Sequence, residues 1–447
     1  MSRLTRRRAV LRPGVAAGTA LVALLGLGAC DALDDLLSVD KPATVPAEVI
    51  DDPLKAQLMV NGAIADFECA LGAYVVMAGI IGEEFIDATQ TADRWPYDRR
   101  EVQPGDARYA TSNCQNIGVY TPLSTARYSA DQALQRLTTW TDDQLPGMNR
   151  QRLIATAAAY AGYSYLLLGE GFCSAAVDGG PELTPQQMFA LAEERFTQAI
   201  AAAAAASAVP GQTAAQLAED QSLRNMALVG RARARLNQST ATPAKLALAG
   251  QDAALVPSTF SRLSGASAGD ERRYNRVFAQ NNQGNLVAVG TRYRGLTVNG
   301  VADPRVVATD AGRNATDGTR IWVQGKYSAL TSGIPIATYD EAQLILAEVQ
   351  LRSGQPGTAV NTINALRARA GVGAYGGGTS ADEVMALLIE ERRRELFLEG
   401  HHLYDAIRFN LALQPATGTA FPKGGLYGST KCLPLPNVER FNNPNIG

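Results

Sequence analysis

The sequence predicts a mainly α-helical chain: a scaffold of tetratricopeptide-like helix pairs that carries irregular, loop-rich portions. Three observations lead there. Alanine runs fill several segments, and alanine is the strongest helix former. Small and aromatic residues recur at the offsets of a helix-pair repeat. Two stretches, about 87–128 and 258–338, lose helical periodicity and are rich in polar residues.

The bulk numbers agree with a folded, soluble chain. Hydrophobic residues make up 46% and charged residues 19% of the 447 residues. The net charge of −2 argues against nucleic acid as a partner.

The first element is an address. "MSRLTRRRAVLRP" is a basic n-region, and "GVAAGTALVALLGLGA" is an apolar h-region too short to span a membrane, which takes about 20 residues. It ends in Leu27-Gly28-Ala29-Cys30, the order of a bacterial lipobox. Residues 1–29 are therefore expected to be a lipoprotein signal peptide, and the Cys30 thiol to carry the lipid. Acyl chains there would tether the chain to a membrane by burying CH₂ groups. Residues 30–46 are acidic, then Pro-containing, and look like a tether; residues 47–447 are expected to form one domain.

With Cys30 lipidated, Cys69, Cys114, Cys173 and Cys432 remain. An exported chain with an even cysteine count suggests two disulfides. Of the three pairings we expect Cys69–Cys114 with Cys173–Cys432. Zinc is the rival, and neither C-x2-C spacing nor a nearby histidine supports it.

The repeats are expected over about 130–257 and 339–410. Gly162 stands three residues before Tyr165 and seven before Gly169. Ala192-x3-Phe196 with Ala199 follows, then Gly230, and later Ala347, Gly354 and Ala359-x3-Ile363. A small residue on one helix lets the next approach, and each pair buries its apolar stripe against a neighbour. A plain Ala-rich bundle would satisfy the same spacing. The irregular portions hold many of the large aromatics, including Trp95, Tyr97, Tyr109, Tyr120, Tyr274, Tyr293 and Trp322. Loops this long are usually functional or disordered. Disordered tails rarely keep such residues, so these loops read as ordered and functional.

The densest charge lies in "IEERRRELFLEGHHLYDAIRF", 389–409, which holds both histidines. Helical spacing pairs Glu391 with Arg394, Arg392 with Glu395 and Glu390 with Arg394. The arginines are matched by nearby glutamates, which cancels the field a nucleic acid would need. His401 or His402 with Asp405 supplies two metal ligands, and the others would have to come from elsewhere; no metal is expected. Gly400 interrupts the helix. No nucleophile motif and no cofactor motif is present.

These segments resemble the SusD/RagB family. The matching runs, in order, are "VADPRV" (301–306), L-A-E (346–348), I-N-x-L-R-x-R-A-G (363–371) and E-R-R-x-E-L-x-x-E-G (391–400). Asp405 and Arg408, P-x-P-x-x-E (434–439) and Asn443-Pro444-Asn445 complete them. The second histidine of the charged block departs from the family's usual pattern. The resemblance implies a SusD-like scaffold of helical repeats with a ligand-binding portion on top, in a non-catalytic lipoprotein of the outer membrane, exposed at the cell surface. Its implied partners are an oligosaccharide or peptide and a TonB-dependent, SusC-like barrel transporter. Glu391, Arg392, Arg394 and Glu395 then read as scaffold ion pairs.

The family offers no fixed binding motif to carry over, so physics must choose. Sugars rest their C–H faces on aromatic rings, with polar groups at the rim. "DRWPYDRR" (93–100) offers Trp95 and Tyr97 around a stiffening proline; Tyr293 between Arg292 and Arg294, and Trp322, come next. Aromatics are only 6% of the chain, with three Trp, which keeps peptides open beside glycans. Two other readings remain: a helical-repeat adapter for envelope proteins, and a hydrolase using Glu83 and Glu84. Adjacent helical residues point about 100° apart, which disfavours the hydrolase.

Overall fold

The computed structural model describes residues 51–446. The signal peptide, Cys30 and the tether lie outside the described residues. The chain is mostly helical, and the longest helices carry the core. α1 (Ala56–Ile81) is buried without interruption from Cys69 to its end. It packs on α2 (Tyr120–Thr139) and α3 (Arg150–Gly171), and α3 is buried continuously from Leu153 onward. α4 (Pro185–Ser207), α5 (Ala214–Gln238) and α6 (Lys245–Ala254) continue the series, each against its predecessor. α1 and its leading turn are apolar and long enough to cross a membrane, yet 78% of that window is buried inside the protein, as a core helix requires.

The sequence starts these helices where caps stand ready. Asn149 accepts a hydrogen bond from Arg152 N at the head of α3. Thr184 with Gln187, and Thr213 with Gln216, form capping boxes at α4 and α5. The repeat spacing has a direct structural meaning. A Cβ on Gly162 would lie 2.7 Å from the Phe196 ring, one on Gly230 2.3 Å from it, and one on Gly169 2.6 Å from the Phe189 ring. α3 and α5 thus close on the two phenylalanines of α4 only where they lack side chains.

A second core forms from α7 (Tyr339–Arg352), α8 (Pro356–Arg369) and α9 (Ala381–Glu395), with Leu344, Ile363 and Leu388 at its centre. α6 packs on α7 and joins the two sets. α9 ends at Glu395, and Gly400, at φ 85°, turns the chain into α10 (His402–Arg408), which packs on α1 and α3.

Helices begin earlier than expected. α1 and the start of α2 precede residue 130; the second half of α1 is buried on all sides and shows no apolar stripe. The second irregular portion contains short strands that its sequence does not betray. β1 (Phe85–Asp87) pairs antiparallel with β3 (Val287–Val289), β2 (Ser261–Leu263) with β6 (Pro335–Thr338), and β4 (Ala308–Asn314) with β5 (Arg320–Gln324).

The cysteines pair as Cys69–Cys114, with Cα atoms 5.7 Å apart, and Cys173–Cys432, at 5.1 Å. The second bond ties the end of α3 to the C-terminal segment, beside the backbone bridge between Phe172 and Leu433.

The charged block corrects the expected pairing. Glu390–Arg394 forms within the helix at 2.6 Å. The other two pairs do not. Arg392 instead holds Asp405 of α10 through two bonds of 2.8 and 2.9 Å. Glu391 accepts from Arg305 and from Arg367 of α8, and Arg394 also reaches Asp303 at 2.9 Å. Glu395 faces Arg305 at 3.3 Å. The reason is burial: Glu391 and Arg392 are 2% and 5% exposed, so their partners must come from the elements packed against them.

Candidate functional site

The candidate site is built around the end of α1. The helix stops at Ile81, and Glu83 takes a left-handed backbone at φ 64°. That turn launches β1, whose pairing with β3 brings Thr291 and Arg292 beside Glu83. Glu83 and Glu84 therefore lie in a turn, not on a helix, and they diverge. Glu83 accepts from Arg292 and from the backbone N–H of Gln414, while Glu84 points inward and accepts from Leu398 N. Burial would raise the Glu83 carboxyl, but the nearby His402 ring, 3.6 Å away, and the bonds from Gln414 N and Arg292 outweigh it and lower it. Burial pushes Glu84 up to about 7.

After β1 the chain forms a short helix, Trp95–Arg99, with Pro96 in its first turn. Trp95 is half-buried, and its Nε1 donates to Thr89 O at 3.0 Å. Lys423 lies against the ring, 5.9 Å from its centroid. The Lys423 ammonium sits among four oxygens: Asp87 O at 2.6 Å, Asp87 Oδ1 at 3.0 Å, Thr89 O at 3.0 Å and Asp317 Oδ2 at 2.8 Å. One side chain thus clamps the Trp95 loop, the β4–β5 turn and the C-terminal loop together. Arg94 adds a bond to Asp87 at 2.8 Å and another to Gln280 at 2.9 Å.

Trp322, on β5, is also half-buried, and the Arg294 guanidinium lies 5.0 Å from its ring centroid. Both tryptophans are thus held by cations and keep part of their surface in solvent. The two tyrosines are placed otherwise. Tyr97 is 1% exposed and donates its hydroxyl to Ile117 O. Tyr293 is fully buried, stacked on Phe397 at 4.9 Å with Arg393 against its ring. Their faces are already covered by protein, which leaves no surface for a ligand; this corrects their reading as contact residues.

Beside the Trp95 helix lies a recessed cavity of about 240 Å³, lined by Glu83, Asp98, Arg100, Thr291, Gln414 and Tyr427 among others. Asp98 is 5% exposed; burial, then the nearby Asp87 charge, pushes its carboxyl up to about 7. One of its oxygens accepts from Asp87 N at 3.0 Å. Arg100 bonds the carbonyls of Gln414 and Pro415 and stacks over Tyr427, 4.8 Å from the ring centroid. Burial lowers its pKa.

The histidines belong to the frame. His401 is buried 3.3 Å from Arg233, and burial with the surrounding guanidiniums holds it well below the usual imidazole range, hence neutral. Asp405 is occupied by Arg392 and Arg408, so it has no free side to share with them.

Sequence reasoning places Asp98 in the Trp95 segment but misses Lys423, Gln414 and Tyr427 as its partners in one site. The signal that could have pointed to these three is the Gly- and Pro-rich run "PATGTAFPKGG" after α10, a loop too long to be a simple connection.

Residues 318–437 match the sequence profile described as the SusD family. No curated protein matches the chain by sequence. Among solved structures, a SusD superfamily protein from Bacteroides vulgatus ATCC 8482 superposes with a TM-score of 0.61 at 15% identity, covering 89% of this chain and 98% of its own. A SusD-like carbohydrate binding protein from the same organism gives 0.64 at 16% identity, covering 88% and 97%. The surface glycan-binding protein A of Bacteroides uniformis gives 0.61 at 17% identity, covering 88% and 99%. At these identities the likeness establishes the fold.

Proposed function

We propose, for a chain with the SusD fold and a SusD-family segment at 318–437, that it is a non-catalytic binding protein for an oligomeric nutrient, a glycan first and a peptide second. The observation that carries the reading is the pair of cation-anchored, half-buried tryptophans, Trp95 and Trp322. An indole held in one orientation loses little freedom on binding, and its apolar face suits the C–H face of a sugar ring. Two structural neighbours are named as carbohydrate or glycan binders, which supports this ligand class. The divergence of Glu83 and Glu84 argues against a carboxylate pair acting on one substrate.

The finer reading places the protein on the outer membrane through a lipid on Cys30, at the cell surface. It would hand its ligand to a SusC-like, TonB-dependent barrel, and tethering to the barrel would raise an individually weak affinity.

Titration calorimetry of the mature chain against a glycan panel and a peptide pool tests the ligand class. Trp95→Ala and Trp322→Ala should each weaken a bound glycan by about tenfold, roughly 1.4 kcal/mol, with an unchanged melting temperature. Unchanged affinity in both variants would overturn the site. Co-purification of a barrel with the native protein, lost on Cys30→Ser, tests the partner and the anchor together.

A further inference from the structure

We infer that the cavity beside Trp95 is an end pocket: it takes the terminal unit of a neutral oligosaccharide whose next unit rests on Trp95. This deepens the glycan-binding reading and rests on it.

The cavity's size comes first. Its volume of about 240 Å³ lies below the roughly 300–1,000 Å³ of sites for drug-sized ligands. It is a recess for a small part of a ligand, and we take that part to be the end of a chain, which can enter without the rest following.

Unused hydrogen-bonding capacity comes second. Asp98 lines the cavity, is 5% exposed and spends one carboxylate oxygen on Asp87 N; the other oxygen has no hydrogen-bond partner among the described residues. The Tyr427 hydroxyl is likewise unpartnered, while its ring is fixed by Arg100 on the face and Phe421 on the edge. Thr291 adds a hydroxyl at the exposed rim. A buried carboxyl without a partner is costly, and a ligand hydroxyl would satisfy it.

The chemical class follows from what is already spent. The Arg100 guanidinium is committed to two carbonyls, and Arg292 and Gln414 N are committed to Glu83. The acceptor facing the cavity is a carboxyl, which repels an acidic sugar once ionised. Hydroxyls, which donate and accept, match Asp98, Tyr427 and Thr291 together. Ile80, Phe85 and Pro415 supply apolar wall for C–H groups.

Position links the pocket to the platform. Trp95 and Asp98 are three residues apart in one short helix, so they share a face. Pro422 lines the cavity and the next residue, Lys423, lies against Trp95. The pocket and the indole thus share the Trp95–Arg99 helix and the Pro422–Lys423 corner, which would place the next unit of a bound chain toward Trp95.

The test uses gluco-, manno- and xylo-oligosaccharides, each free, blocked at the non-reducing end by an ethylidene group, or blocked at the reducing end as a bulky glycoside. For a series that binds, blocking one end should weaken affinity by tenfold or more while blocking the other changes little. Asp98→Asn, which keeps an acceptor for Asp87 N but turns a donor into the pocket, should weaken the free chain by about tenfold. Thr291→Trp, at the exposed rim, should close the pocket and do the same without altering the melting temperature, which covers the case that Asp98→Asn fails to fold. A chain that binds, is weakened by Trp95→Ala, and ignores end-blocking and Thr291→Trp would overturn the end pocket alone. No binding by any series would overturn the glycan reading and this inference together.

Discussion

Two carboxyls near the end of α1 show how much a single buried group can decide. Glu84 and Asp98 are both pushed up to about 7 by burial, from ordinary values of 4.5 and 3.8. Between those values and 7 the folded chain holds protons that the unfolded chain releases. Stability contributed by the protonated groups is therefore full at acid pH and lost as pH rises through 7. The melting temperature should be higher at pH 6 than at pH 8. Glu84→Gln, which keeps the acceptor for Leu398 N, should flatten that slope and stabilise the fold at pH 8, by on the order of 1–3 kcal/mol. A slope unchanged in Glu84→Gln would remove Glu84 from the account. At this scale the sequence is least legible. It marks Trp95, Tyr97, Tyr293 and Trp322 as aromatic, but residue type carries no exposure. Tyr97 and Tyr293 are in the core, while Trp95 and Trp322 keep part of their surface.

Elements are more legible, because close helix packing needs particular residues at particular spacings. Gly162 and Gly230 flank Phe196 from two helices, so the repeat spacing is a packing rule that can be read ahead of the structure. Gly230→Val should force α5 off α4 and cost about 1–3 kcal/mol, and Phe196→Ala should cost about 3–5 kcal/mol, both by denaturant unfolding. Where no stripe exists, the sequence is silent. α1 is apolar around its circumference in its second half, and three-residue strands such as β1 and β3 are too short to alternate. The charged helix α9 is an intermediate case. Its Glu and Arg residues announce ion pairs, but their partners on α8, α10 and the Asp303–Arg305 loop lie outside the helix. Arg392→Ala should leave Asp405 in the core with Arg408 alone and lower stability by about 1–3 kcal/mol, as judged by thermal melting. A loss of glycan binding at full stability would contradict this structural role.

Across the whole molecule, the helical scaffold was legible, and of the candidate site only the two tryptophans and their immediate neighbours were. The site joins residues from opposite ends of the chain: Asp87 and Asp98 with Lys423 and Tyr427. Local pattern cannot reach contacts more than 300 residues apart. The Cys173–Cys432 bond secures this closure over a sequence separation of 259. A Cys173→Ser, Cys432→Ser variant should lose about 2–5 kcal/mol, seen as a lower denaturation midpoint. It should lose ligand affinity as well, since Lys423 and Tyr427 lie on the segment it frees.

Lys423 gives this closure a temporal side. A chain made from its N-terminus forward possesses Asp87, Thr89 and Trp95 early, and could assemble α1 to α5 while the ribosome is still working. The ammonium that fixes the indole arrives only at position 423. Until then Asp87 has Arg94 for its charge, but Trp95 has no cation against its ring. A chain clipped before residue 423 would keep the helical scaffold and lose the ammonium that anchors Trp95.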